Sequence, residues 1–177
     1  MPAQILPDYL APGLRAVFVG TAVGTTSAAR GHYYAGPGNV FWDLLHRSGL
    51  TTNRLYPDDD RKILAYGFGL TDLVKTRAAS SDAGLIGFDV PGFVAKMERY
   101  KPAWVVFHGK EPAKQAARHL RKGTWVPLGR QSWTIGATSV FVLPSSSAAN
   151  QNPAVLEGKA SRVEWWKELA HELTPLK

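Results

Sequence analysis

The stretch LRAVFVGTAVGTTSAARGHYYAGPGNVFW, residues 14–42, decides the fold. Its first part, LRAVFVG (14–20), is a short apolar run that reads as a buried strand. The strand empties into GTAVG (20–24) and then into a loop with two adjacent tyrosines and a Gly-Pro-Gly turn. A core strand that opens into such a loop is usually delivering backbone to a ligand.

Outward from this segment the pattern repeats. LTDLV (70–74), AWVVFHG (103–109) and SVFVLP (139–144) read as further strands, and TWVPLG (124–129) as a candidate fifth. Helical patterns lie between them. Asn39 caps NVFWDLLHRSG, which stops at Gly49, and DVPGFVAKMERY (89–100) ends at Lys101-Pro102. EPAKQAARHLRK (111–122) carries Pro112 in its first turn, and SRVEWWKELAHEL (161–173) closes the chain. Strands alternating with helices predict a single α/β domain over residues 1–177, with three α/β/α layers and a mainly parallel central sheet.

Composition narrows the function classes. A chain of 177 residues, 45% apolar, is long enough for one buried core and is not disordered. No stretch approaches the roughly 18 apolar residues of a membrane span, and MPAQILPDYLAPG lacks the form of a signal peptide. Cysteine is absent, which excludes disulfides and Cys-ligated metal centres and fits a cytoplasmic location. The five histidines show no HxH or HxxxH spacing, so no metal site is expected. The net charge of +7 and a pI near 9.8 favour a polyanionic partner.

Ligands of parallel sheets sit beyond the carboxyl ends of the strands. Three strands here end in unusual loops: GTAVG (20–24), HGK (108–110) and PSSSAANQNP (144–153). Neighbouring parallel strands would bring them to one crevice. Gly20 and Gly24 allow backbone N–H groups to approach an anion, although neither a P-loop nor a GxGxxG fingerprint is present. Tyr33 and Tyr34 offer flat faces for stacking on bases, or simply pack with hydrogen-bonded hydroxyls. Asn39 is equally explained as a helix cap. Ser145, Ser146 and Ser147 can grip a phosphate backbone or form a solvated turn, and no serine sits in a GxSxG elbow.

Taken together, GHYYAGPGNVFWDLLHRSGL (31–50), YGFGLTDLVKT (66–76), VVFHGK (105–110) and LPSSSA (143–148) resemble the uracil-DNA glycosylase superfamily. The resemblance is closest to its mismatch-specific uracil/thymine-DNA glycosylases. It implies a DNA repair enzyme that flips uracil out of single- or double-stranded DNA and hydrolyses the N-glycosidic bond. No cofactor, no metal and no lyase lysine are implied, and the expected protein is a cytoplasmic monomer associated with the nucleoid through DNA. By the same resemblance, Tyr34 matches the aromatic that stacks on the flipped base and Asn39 the pocket asparagine. Ser27 meets the 5 position of the base, where a polar side chain favours uracil over thymine. Ser145 and Ser147, with Ser146 between them, match the phosphate-gripping serines, beside Lys110. The Gly20–Thr21 backbone, with Tyr33 or His32, is expected to donate to the departing uracil.

Two positions depart from the family pattern. Ala22 stands where an asparagine normally orients the attacking water, so the Thr71 hydroxyl is expected to hold that water, with His32 as the alternative. Ala149 stands where a larger residue fills the gap left in the duplex, and Asn150 or Gln151 is the candidate substitute. The first departure leaves open a non-catalytic reader of uracil or abasic DNA. A small-molecule hydrolase on the same sheet is disfavoured by charge and by the phosphate-loop pair.

Overall fold

The computed structural model describes residues 3–148 and 153–174. Its sheet has five strands: β1 (Ala16–Ala22), β2 (Phe68–Val74), β3 (Trp104–His108), β4 (Gly129–Ile135) and β5 (Thr138–Leu143). Their order is β2-β1-β3-β5-β4, parallel except for β4, which runs antiparallel to β5 at the edge. The expected strand at 124–129 is therefore displaced. Gly129 begins the real strand, which alternates buried and exposed residues as a half-solvated edge requires. The four parallel strands, nearly continuous in apolar character, are buried on both faces.

Helices cover both faces and complete the three layers. On one side Phe18 of β1 packs against Phe41 of α2 (Phe41–Arg47) and stacks on Trp166 of α5 (Arg162–Leu173). On the other, Phe107 of β3 packs against Phe93 of α3 (Val90–Tyr100), beside α4 (Lys110–His119). Local signals set the helix ends. Asp89 accepts the Gly92 N–H, and Ser161 with Glu164 forms a capping box. Three helical pieces carry no clear signal in sequence: α1 (Thr25–Arg30), inside the glycine-rich loop, and 3-10 helices at Pro57–Tyr66 and Pro153–Leu156. Among the described residues no helix is long and apolar enough to cross a membrane.

Strand alternation now fixes what each end residue faces. Gly20 is register partner of Asp72, and both share the Phe18 face with His108; Val19 pairs with Thr71 on the face of Phe107 and α3. Adjacent residues of β2 thus point to opposite sides of the sheet.

Candidate active site

Beyond the carboxyl ends of β1, β2 and β3 lies a cleft of about 870 Å³. The expected convergence of loops is present among the described residues, since 20–24, 108–110 and the loop after β5, through Pro144, Ser145, Ser147 and Ala148, all contribute to its walls, and the tyrosine–asparagine loop joins them. Gly20, Asp72 and His108 form the floor. A Cβ at Gly20 would collide with the Asp72 carboxylate and stand 3.6 Å from the Tyr34 hydroxyl, so only glycine leaves room here.

Asp72 is the chemical centre of this floor. It is buried, and its Oδ2 has no hydrogen-bond partner among the described residues. Burial pushes its carboxyl up to about 6; Lys75 and Lys96 oppose that rise and Asp8 adds to it. The Tyr34 hydroxyl is likewise buried without a partner, and burial with the Asp72 charge holds the phenol well above its ordinary value. An acceptor and a donor, both unsatisfied, therefore share the cleft floor.

Asn39 reaches the wall from another direction. Its Oδ1 accepts the Phe41 N–H at 2.9 Å and the Ser146 hydroxyl at 2.8 Å. With the oxygen saturated, the Asn39 Nδ2 amide is what remains to face the cleft. Capping and pocket roles thus coexist, because the cap uses only the oxygen. The helix proper starts at Phe41, after Val40.

Ser146 is not at the surface. Its carbonyl accepts the Val40 N–H, its N–H donates to His108 Nε2 at 3.0 Å, and its Oγ lies 2.6 Å from the same nitrogen. The one hydroxyl proton serves either His108 or Asn39 at a time. Fully buried, Ser146 ties the serine loop to the asparagine loop and has no face for a phosphate. Burial and the nearby Arg162 push His108 down to about 3, so the imidazole is neutral. Arg162 completes the support by donating to the carbonyls of Ser145 (3.1 Å) and Ser147 (3.0 Å). Gly38, at φ 74°, lets the asparagine loop press on Ala148, where any Cβ would collide.

The other expected site residues divide. Thr21, Ala22, Ser27, Tyr33, Tyr34, Ser145, Ser147 and Lys110 line the cleft. Thr71 does not. Its hydroxyl donates to Asp8 Oδ1 at 2.7 Å on the far side of the sheet, where Asp8 also pairs with Lys75 and Lys96. His32 is also outside, beside Asp60 at 3.3 Å. Tyr33 lines the cleft only with its ring, since its hydroxyl donates to the Pro7 carbonyl and accepts from Lys75. Tyr34 is stacked on Phe41 at 3.9 Å between centroids, so one ring face is already covered. Ser27 Oγ accepts the Ala35 N–H, and Lys110 is paired with Glu157 at 2.8 Å. Ala149, Asn150 and Gln151 lie outside the described residues.

Asp72 and His108 are the polar cleft-floor residues that the sequence alone did not single out. The available signal was a polar residue at or near the end of each of two apolar strands, with Asp72 next to Thr71; period-two alternation allows only one of that pair to face the cleft.

A three-layer α/β/α domain with a polar cleft at the ends of its parallel strands defines the class. The model of the uracil DNA glycosylase superfamily matches residues 7–170, and the chain belongs to that superfamily. Its fold is similar to the solution NMR structure of "a putative Uracil DNA glycosylase from Methanosarcina acetivorans". Identity is 23% and the TM-score 0.65, with 95% of this chain and 96% of that one covered. Superfamily membership supports a DNA glycosylase role.

Proposed function

We propose that this chain is a monofunctional DNA glycosylase that takes a flipped uracil into the cleft and hydrolyses its N-glycosidic bond, leaving an abasic site. One observation carries the reading: a buried carboxylate, Asp72, whose Oδ2 has no partner among the described residues, at the floor of a cleft that also holds the Asn39 amide and the Tyr34 hydroxyl.

The chemistry follows from charge. As the bond from C1′ to the base nitrogen breaks, its electron pair leaves with uracil and positive charge grows on the sugar. The Asn39 amide and the Tyr34 hydroxyl are donors suited to the uracil oxygens and stabilise the departing anion. A carboxylate is unsuited to that anion but suited to the other two participants. It opposes the sugar cation and accepts a proton from the water that attacks C1′. Asp72 thus takes the role that Ala22 cannot, in place of Thr71. The scheme uses no metal, cofactor or lysine adduct, and the protein acts as a monomer in the cytoplasm.

DNA is held by the serine loop. Ser145 and Ser147, braced by Arg162, approach the backbone beside the flipped nucleotide, and the basic charge adds non-specific affinity. Ser27 at the wall favours uracil over thymine. With alanine at 149, uracil in single strands is accepted as well as uracil in duplexes.

Single-turnover cleavage by Asp72→Asn tests the assignment. The rate should fall by roughly 100-fold or more, as for loss of a general base, while oligonucleotide binding changes little. The rise of the parental rate through a pH of about 6 should disappear with it. A variant that keeps the rate but changes which base it removes would make Asp72 a reader of the base edge.

A further inference from the structure

The exposed side of α4 and the loop after it carry cations and an aromatic that the cleft does not use. Ala113, Ala116 and Ala117 face the core, which turns Lys114 and Arg118 outward, one helical turn and about 6 Å apart. Arg121 and Lys122 follow, both exposed, at the end of the helix. None of these four has a carboxylate partner among the described residues, whereas Lys110, at the cleft mouth, is already paired with Glu157. Trp125, three residues after Lys122, is 80% exposed, more than any other large apolar side chain described. The remaining tryptophans are buried or half-buried.

A solvated helix face ordinarily mixes signs. The outer side of α5 does so, with Glu164, Lys167, Glu168 and Glu172. On α4 the acidic residue, Glu111, lines the cleft, and the outer side carries cations alone. That is the sign expected for a polyanion rather than for solubility. The helix begins at Lys110, which lines the cleft, and its ten residues span about 15 Å. The helical cations therefore lead away from the cleft mouth, and Trp125 stands on the segment that carries the chain from their end back to Leu128 in the cleft wall.

We propose that Lys114, Arg118, Arg121, Lys122 and Trp125 form a second contact for single-stranded DNA, along which the strand leaving the cleft runs and on which an unpaired base stacks at Trp125. Cations at one-turn spacing neutralise successive phosphates without reading sequence, and an open indole face accepts any base. A paired duplex offers no free base face to Trp125, so the occupant is a single strand. The inference rests on reading the cleft as a DNA site, but its readout does not depend on cleavage.

The test uses the full chain with fluorescein-labelled oligothymidylates of 5 and 20 nucleotides, and with a 20-base-pair duplex. Trp125→Ala should weaken binding of the 20-mer by roughly 5- to 100-fold and leave the 5-mer within twofold. Trp125→Phe should restore most of the affinity while abolishing the tryptophan quenching that the 20-mer causes. Lys114→Glu with Arg118→Glu should lower the log–log salt slope on the 20-mer by about 1.4, at 0.7 per contact. All three variants should cleave a five-nucleotide strand with a central uracil at the parental rate, because none touches the cleft. Parental affinity of Trp125→Ala for the 20-mer would overturn the proposal, as would equal losses on both lengths. A loss confined to the duplex would assign the surface to paired DNA and overturn it too. If no variant and no parent cleaves uracil, yet the 20-mer still depends on Trp125, the glycosylase reading fails and the track stands.

Discussion

Replacing Asp72 by asparagine should stabilise the protein, and the size of the gain should depend on pH. In the folded chain the carboxyl titrates at about 6 rather than 3.8, because burial disfavours its charge. At about 1.4 kcal/mol per pH unit, keeping it ionised costs the fold about 3 kcal/mol. The sign follows from linkage. Below pH 3.8 the group is protonated in both states and costs nothing. Between 3.8 and about 6 the folded state binds more protons than the unfolded one, so stability falls as pH rises, and above that window the whole penalty is present. The asparagine amide does not titrate. Urea denaturation of parent and variant at a pH of about 4 and again at about 7.5 should therefore give a stability difference that grows by about 2.4 kcal/mol between the two, the rest of the penalty being present already at the lower pH. For a chain of this size that corresponds to roughly 5–10 °C in Tm. Acid effects of other carboxylates, such as Asp8, largely cancel in the comparison. A difference independent of pH would refute the reasoning, since it would mean that Asp72 is not held ionised against its surroundings.

Three further outcomes follow from the same geometry. Thr71→Ala should leave the single-turnover rate within a few-fold of the parent, while losing about 1–3 kcal/mol of stability as Asp8 loses a buried donor; a collapse in rate with intact stability would return the water to Thr71. Tyr34→Phe removes a buried hydroxyl that has no partner among the described residues, so Tm should hold or rise while the cleavage rate drops about 10-fold or more, read in thermal melts and single-turnover assays. Ser146→Ala unties Asn39 from the serine loop, and should cost about 1–2 kcal/mol in denaturant titrations and slow cleavage more than it weakens binding.

Much of this arrangement is legible in the chain. Four of the strands, the four longest α-helices and the convergence of the loops at 20–24 and 144–148 follow from apolar runs and caps that tertiary packing leaves in place. The edge strand is misplaced in sequence because Thr124-Trp125-Val126 has strand-like residues but lies before the sheet, and β4 itself mixes Arg130, Gln131, Ser132 and Thr134 into its run. At the site, positions carried by glycine or by an amide are readable, since Gly20 and Asn39 are fixed by backbone demands. Thr71, His32 and Ser146 are assigned from the resemblance and from residue type, without the sheet register that decides where they point. Which face of β2 meets the cleft depends on its register with β1, and the burial of Ser146 depends on a histidine 38 residues away. Neither is local. The raised carboxyl of Asp72 has the same origin: an aspartate near a strand end is pushed up only when the sheet takes its solvent away.

The most direct measurement is formation of alkali-labile sites in an oligonucleotide with a single uracil, under enzyme excess, by the parent and by Asp72→Asn. Superfamily membership and the Asp72 floor lead us to expect strand cleavage after alkali with the parent, a rate that rises through a pH of about 6, and near silence from the variant. Binding of the same oligonucleotide by the parent with no alkali-labile site at any pH would contradict the account, and would identify a protein that holds uracil without cutting it.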